Sequence, residues 1–374
     1  MPPRKSFLND SVLLDHLNLL GISDPSSVLA EINASAKGII KKHLRAEKKK
    51  TEEYDNAKKL STEELNSFGI LPKWVLENTP NVRLVAGSKK TLIVPDGRKY
   101  QANNSLNDLS GGEWTYFTNS VINTNYMTSG ENSFAHHIRK IHPSPKPPVL
   151  MRDIISFFTK QNEIVLDYFM GVGGTLLGAS ACGRRAIGID LNPTYIDAYK
   201  RAAKELSLSE ETTVCDESIQ FLSSEKLPGL LKGEKIGLIL IDPPYGNMMS
   251  KKKTGADISV YGNTATPFSD SPKDLGNMPI CDFFDNLKKS VELASQHLKN
   301  KGYIVIFIKD LQPNKKEPNL LHADIINSIN SIPGIEYKGL KIWADQSAKL
   351  FPYGYPFAFV ANQIHQYILV FQKN

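Results

Sequence analysis

Apolar positions along the chain follow two rhythms, and their alternation predicts the architecture. From residue 163 onward short apolar runs recur: Glu163-Ile164-Val165-Leu166, Ala186 to Ile189, Thr212 to Cys215, Ile236 to Ile241 and Tyr303 to Ile308. Between them lie stretches with helical spacing, among them Leu176, Leu177, Ala179 and Ala181, then Asp282 to Leu298 and Leu320 to Ile332. Short buried strands separated by amphipathic helices predict a doubly wound, mostly parallel α/β sheet. Two final runs, Leu340 to Trp343 and His365 to Phe371, predict an antiparallel pair that closes it.

The first 110 residues read differently. Val12, Leu13, Leu17 and Leu20, then Val28, Leu29 and Ile32, stand at near-helical spacing on either side of Asp24-Pro25-Ser26. Ser61-Thr62-Glu63-Glu64 has the form of a capping box opening a short helix. Thr91 to Val94 and Lys99-Tyr100 flank Pro95-Asp96-Gly97-Arg98 as a hairpin, and Trp74 is expected in the core of this module. The expected division is therefore a smaller, mainly helical module over 1–110 and a larger α/β domain over 111–374. Within the latter, about 246–280 is rich in Asn, Ser, Gly and Pro and reads as a flexible flap or a solvated insertion.

Composition narrows the setting. The chain has 374 residues, 41% hydrophobic, which is enough for both domains to bury a core. No apolar run reaches the roughly 18 to 20 residues of a membrane helix, and Met1-Pro2-Pro3-Arg4-Lys5 lacks a signal core. A soluble cytoplasmic protein without a membrane partner is expected. Cys182, Cys215 and Cys281 form no metal-ligand or disulfide pattern and are expected to be buried free thiols. No metal site is expected. Charge is bunched: residues 37 to 59 carry nine basic against four acidic side chains, suited to a polyanion or simply to a solvated helix face.

Chemistry gathers at two strand ends. After Leu166 comes Asp167-Tyr168-Phe169-Met170-Gly171-Val172-Gly173-Gly174-Thr175, a glycine turn feeding a helix. Such a turn lets a ligand approach the backbone. The next strand ends at Asp190, where a carboxylate can grip ribose hydroxyls. Leu176 stands where a dinucleotide fingerprint needs its third glycine, which disfavours a dehydrogenase. After Ile241 comes Asp242-Pro243-Pro244-Tyr245: an acceptor, a stiff backbone and a flat ring, suited to a planar amino group or, alternatively, a rigid capped turn. Upstream, His142-Pro143-Ser144-Pro145-Lys146-Pro147-Pro148 is a rigid connection leading into a helix through Leu150, Ile154, Ile155 and Phe158.

In this order the motifs resemble those of the S-adenosylmethionine-dependent amino-methylating DNA methyltransferases, the adenine-N6 and cytosine-N4 family, over roughly residues 110 to 374. The resemblance implies a class I, Rossmann-like methyltransferase fold and S-adenosylmethionine as methyl donor. It implies that Asp167, Phe169, Gly171, Gly173 and Thr175 line the cofactor, with His142 and Lys146 of the HPxxKP element beside them. It further implies that Asp190 holds the ribose and Asp216 faces the adenine. Asp242, Pro243, Pro244 and Tyr245 would be catalytic, and an aromatic from the stretch Phe351 to Phe357 would help hold the target. The implied substrate is double-stranded DNA whose target base is flipped out, in a restriction–modification setting, with a partner subunit or homodimer supplying what one chain lacks.

The implied reaction is direct transfer to adenine N6. Asp leads the tetrapeptide where cytosine-N4 members more often have Ser, and no cysteine follows a proline as carbon-5 methylation would require. Cytosine-N4 methylation, methylation of RNA or a protein amide, and a methylase-like binding subunit without catalysis are the competing readings. No separate target-recognition domain is expected after the last strand, which leaves sequence reading to the N-terminal module, the 246–280 loop or a partner.

Overall fold

The computed structural model describes residues 34–246, 268–313 and 319–374. The helices expected before Ile32 and most of the expected flap, with Lys251-Lys252-Lys253, lie outside those residues. The chain forms two units, one running to Asn104 and taking in Ser110–Gly112, the other comprising Ser105–Leu109 and Glu113–Asn374.

In the first unit the lysine-rich stretch is one long helix, α1 (Ala34–Asp55), followed by β1 (Lys58–Lys59), α2 (Thr62–Asn66), α3 (Lys73–Leu76), β2 (Arg83–Leu84), β3 (Thr91–Ile93) and β4 (Lys99–Gln101). The capping box is complete: the Ser61 hydroxyl accepts from the Glu64 amide at 3.1 Å and the Glu64 carboxylate from the Ser61 amide at 2.9 Å. The strands form one small antiparallel sheet around Val75, Val82, Leu92 and Tyr100. Trp74 packs edge-on against Tyr100, with the Arg98 guanidinium over its ring.

From α4 (Gly111–Phe117), which enters the second unit at Glu113, the chain continues with β5 (Val121–Thr124), α5 (His136–Arg139), α6 (Pro148–Phe158), β6 (Ile164–Asp167), α7 (Gly174–Ala181), β7 (Arg185–Asp190), α8 (Pro193–Glu205) and β8 (Thr212–Cys215). Next come α9 (Ser218–Leu222), α10 (Lys226–Leu231), β9 (Ile236–Ile241), α11 (Ile280–Ser295), β10 (Leu298–Ile308), α12 (Leu321–Asn330), β11 (Ile335–Asp345) and β12 (His365–Lys373). Eight strands form one sheet in the order β5-β11-β12-β10-β9-β6-β7-β8, and β12 alone is antiparallel to its neighbours.

Alternation along the strands sends Val165, Leu238, Leu240, Val305 and Phe307 to one core with α6, α7 and α8. Leu166, Ile239, Ile241 and Ile306 face the other, with α9, α11 and α12. Every residue of β9 is buried, so its five leucine and isoleucine side chains contribute about 1.5–3 kcal/mol each as an upper bound. Burial on both faces explains why β9 reads as a continuous apolar run.

Three details depart from the sequence reading. Strand β5 was not foreseen; it pairs alongside β11, Ile122 beside Trp343. The helix expected to reach Leu298 stops at Ser295, because Leu298 pairs with Ile236 as the start of β10. The cysteines are not all buried: Cys215 at the end of edge strand β8 and Cys281 in the first turn of α11 are exposed, and Cys182 is half-buried.

Candidate active site

Strand order reverses at β6, which has β7 on one side and β9 on the other, and a crevice opens there at the carboxyl ends of the strands. Leu166 lies beside Ile239, so the glycine turn after β6 and the tetrapeptide after β9 leave the sheet next to each other. Both line one cavity of roughly 260 Å³.

On the β6 side, Asp167 is buried and accepts from the Phe169 amide at 3.0 Å; burial pushes its carboxyl up to about 7 against the hydrogen bonds from Thr175 and Phe169. Gly171 has φ +48° and donates its amide to Asp190 at 2.8 Å. The other Asp190 oxygen accepts from the Asn192 amide, also at 2.8 Å. Burial raises the Asp190 carboxyl to about 6 in spite of both bonds. Gly173 has φ +73° and precedes α7, whose amino end carries no side-chain cap. A methyl group at Gly173 would overlap the Tyr199 ring, so this glycine serves helix packing and does not line the cavity.

His142 covers the turn: its Nε2 lies 3.2 Å from where a Cβ on Gly171 would project, and its ring stacks on Phe268 at 5.2 Å. Burial, aided by the Lys146 charge, lowers the imidazole to about 3, so it is neutral.

On the β9 side the main finding is a pair that spacing does not reveal. The Lys146 ammonium lies 2.5 Å from Asp242 Oδ2, across 96 residues of sequence, with side chains 7% and 19% exposed. Lys146 also sits over the Phe307 ring at 5.4 Å. Burial raises the Asp242 carboxyl; the charge and hydrogen bond of Lys146, and to a smaller extent Tyr245, oppose it. Asp242 Oδ1 is buried and accepts no hydrogen bond. An ionised carboxylate is acceptor only, so Oδ1 waits for a donor.

Of the residues singled out by sequence, His142, Lys146, Asp167, Phe169, Gly171, Thr175, Asp190, Asp242, Pro243, Pro244 and Tyr245 all border the cavity. Asp216 does not: it accepts from the Glu217 amide at 2.9 Å and pairs with Lys226 at 2.5 Å, while Glu217 and Ser218 line the wall in its place. Lys146 lies on the β9 side of the cavity, against Asp242. Sequence reasoning missed Tyr195, the return segment at Phe268, Ser269 and Asp274, and Lys309 and Gln366 at the far strand ends. None of these carries a local motif. Arg139, 1% exposed, went unnoticed too; it donates to the Val172 carbonyl at 3.3 Å and to the Lys146 carbonyl, tying the HPxxKP segment to the glycine turn.

A reversed β12 beside β10, a glycine turn after β6 and an acid ending β7 make up the Rossmann-like arrangement of a class I methyltransferase fold. The residues present fit S-adenosylmethionine: a carboxylate ending β7 keeps lone pairs for ribose hydroxyls, and the amino end of α7 is uncapped.

Parts of the chain resemble known proteins. Residues 33–201 match the sequence profile of the N6/N4 methyltransferase family, described as DNA methylase. The chain is 30% identical over 146 residues to the tRNA (guanine(10)-N2)-dimethyltransferase of Methanocaldococcus jannaschii, covering 37% of this chain and 40% of that protein. It is 34% identical over 87 residues to the type II methyltransferase M.HinfI of Haemophilus influenzae, covering 23% and 24%. The chain thus spans two fifths or less of the length of either relative. The crystal structure of TrmN from Thermus thermophilus aligns at TM-score 0.39 and 14% identity, over 64% of this chain and 52% of that one. Over part of its length the chain is thus similar to the DNA methylase family and to methyltransferases of both tRNA and DNA.

Proposed function

We propose that the chain transfers a methyl group from S-adenosylmethionine to the N6 amine of adenine in DNA. The observation that carries this reading is the buried, unpartnered Asp242 Oδ1 in the cavity that the glycine turn also lines. When bound, S-adenosylmethionine supplies an electrophilic methyl group. The chain's own residues prepare the acceptor. An exocyclic amine is a poor nucleophile because its lone pair is conjugated with the ring. Asp242 Oδ1 accepts one of its N–H groups and favours a pyramidal nitrogen with its lone pair free. Lys146 holds Oδ2 and opposes the pull of burial on the carboxylate. Tyr245 lies flat against the base. No covalent enzyme intermediate is needed. In a duplex the target leaves the stack, at a cost of a few kcal/mol met by the contacts it gains.

Asp242 heads the tetrapeptide, which supports adenine; the N-terminal helix α1, with its run of exposed lysines, supports a polyanionic substrate. A second reading, guanine N2 in RNA, is favoured by one observation: the match to the tRNA (guanine(10)-N2)-dimethyltransferase covers more of this chain than the match to M.HinfI.

The test is base-resolved methylation mapping of DNA and RNA from cells expressing the wild type or Asp242→Ala. A methylated adenine motif in DNA present only with the wild type is the expected result. N4-methylcytosine, or a mark confined to RNA guanine, overturns the assignment of base. Calorimetry with S-adenosylmethionine should show binding that Gly171→Val abolishes and Asp242→Ala retains.

A further inference from the structure

Among the described residues two buried side-chain polar atoms have no hydrogen-bond partner, Asp242 Oδ1 and Gln366 Oε1. The first is accounted for above; the second is not. Gln366 lies near the start of β12, and the sheet register fixes its relation to Asp242. Tyr367 is opposite Ile308 across β12 and β10, and Ile306 is beside Ile241 across β10 and β9. Leu240, Phe307 and Ile368 enter the same core. Asp242 is two residues beyond Leu240 and Gln366 two before Ile368, so by strand alternation both stand on that face, at one edge of the sheet. Two strand spacings across the sheet and a stagger of two residues along it separate them, roughly 11–12 Å between backbones. Side chains of their lengths can reach from those positions to neighbouring atoms on one edge of a planar ring.

The cavities support this. Gln366 lines the cavity that holds Asp242 and also an adjoining one of roughly 340 Å³, walled in part by Tyr126, Phe134, Pro145 and Trp343. Lys146 borders both. Flat aromatic and proline walls suit a planar base.

We propose that Gln366 is the specificity-determining residue for the acceptor: its carboxamide pairs with the ring nitrogen beside the amine held by Asp242. This rests on the reading of Asp242 as amine acceptor. A carboxamide carries both a donor and an acceptor, and a half-turn exchanges them. Adenine offers N1 as acceptor next to the N6 amine, so the carboxamide turns by that half-turn, placing Nε2 where Oε1 stands without a partner, and Nε2 donates there; a carboxylate in its place has no donor to give.

The test uses duplexes bearing the mapped target site, with adenine or 1-deazaadenine at the target, and compares wild type, Gln366→Leu and Gln366→Glu. The wild type is expected to prefer adenine over the analogue about tenfold more strongly than Gln366→Leu does, measured as the ratio of kcat/KM values. Gln366→Glu should lose adenine methylation, while all three bind S-adenosylmethionine equally. A merely structural role would lower both substrates alike. An unchanged ratio in Gln366→Leu overturns the proposal. Should the mapped base be guanine, the adenine reading fails by itself, and the same ratio is taken with 1-deazaguanine, with the same two outcomes. A chain that marks no base fails the reading of Asp242 and takes this proposal with it.

Discussion

Replacing Lys146 by methionine tests whether the Lys146–Asp242 pair exists to keep the acceptor ionised. Methionine fills similar space over Phe307 but removes the only charge the described residues set against Oδ2. Both side chains are largely buried, so solvent does little to screen the loss. Breaking a buried pair from one side costs about 3–5 kcal/mol, because a bare charge remains. The Asp242 carboxyl, already raised by burial, should therefore rise further in the variant. A protonated carboxyl has lost the lone pair and charge that draw on the amine, so transfer should fail where Asp242 is protonated and return as pH rises. The assay is single-turnover methylation of the mapped duplex from about pH 6 to about pH 9.5, with the acid limb of the rate as the readout. The limb of Lys146→Met should lie well above that of the wild type, with the rate climbing about tenfold per unit below it, whereas Lys146→Arg should stay close to the wild type. A variant that is slow but has the same pH profile as the wild type would refute the reasoning and leave Lys146 as a packing residue.

Three further outcomes follow from the same contacts. Asp190 has a folded value near 6 against an ordinary 3.8, so the native state holds this proton more tightly than the unfolded chain, and stability from it is lost as pH rises through that window. Asp190→Asn should therefore stabilise the cofactor-free protein more at pH 8 than at pH 4, by at most on the order of 3 kcal/mol in chemical denaturation, while weakening S-adenosylmethionine binding; a pH-independent stability difference contradicts this. Gly173→Ala places a methyl group against Tyr199 in a left-handed backbone, and should cost about 2–4 kcal/mol in chemical denaturation; a cost under about 0.5 kcal/mol would remove the packing role. Arg139→Met leaves the Val172 and Lys146 carbonyls without their donor; it should weaken cofactor binding and slow transfer together, and a change in only one argues against a shared tether.

The glycine turn, the acid at Asp190 and the tetrapeptide at Asp242 were legible because each is a local device. A left-handed φ at Gly171 or a stiff Pro243-Pro244 is set by the residue itself and its immediate neighbours. The strands were legible for a related reason: burial on both faces demands the unbroken apolar run seen at Ile236 to Ile241. Edge strand β5, with only two of its four residues half-buried and none buried, left no such trace. Asp216 misled because an acid after a strand reads alike whether it faces a ligand or, as here, turns to Lys226.

What the amino-acid sequence determined by itself was the succession of strands, helices and turns, since those preferences act over a few residues along the chain. Only the tertiary structure decided that Lys146 answers Asp242, that Arg139 binds the HPxxKP segment to the glycine turn, and that Gln366 reaches the same sheet edge from the last strand. Such meetings depend on the order in which strands assemble, and residues far apart in sequence acquire their partners only when that order brings their strand ends together.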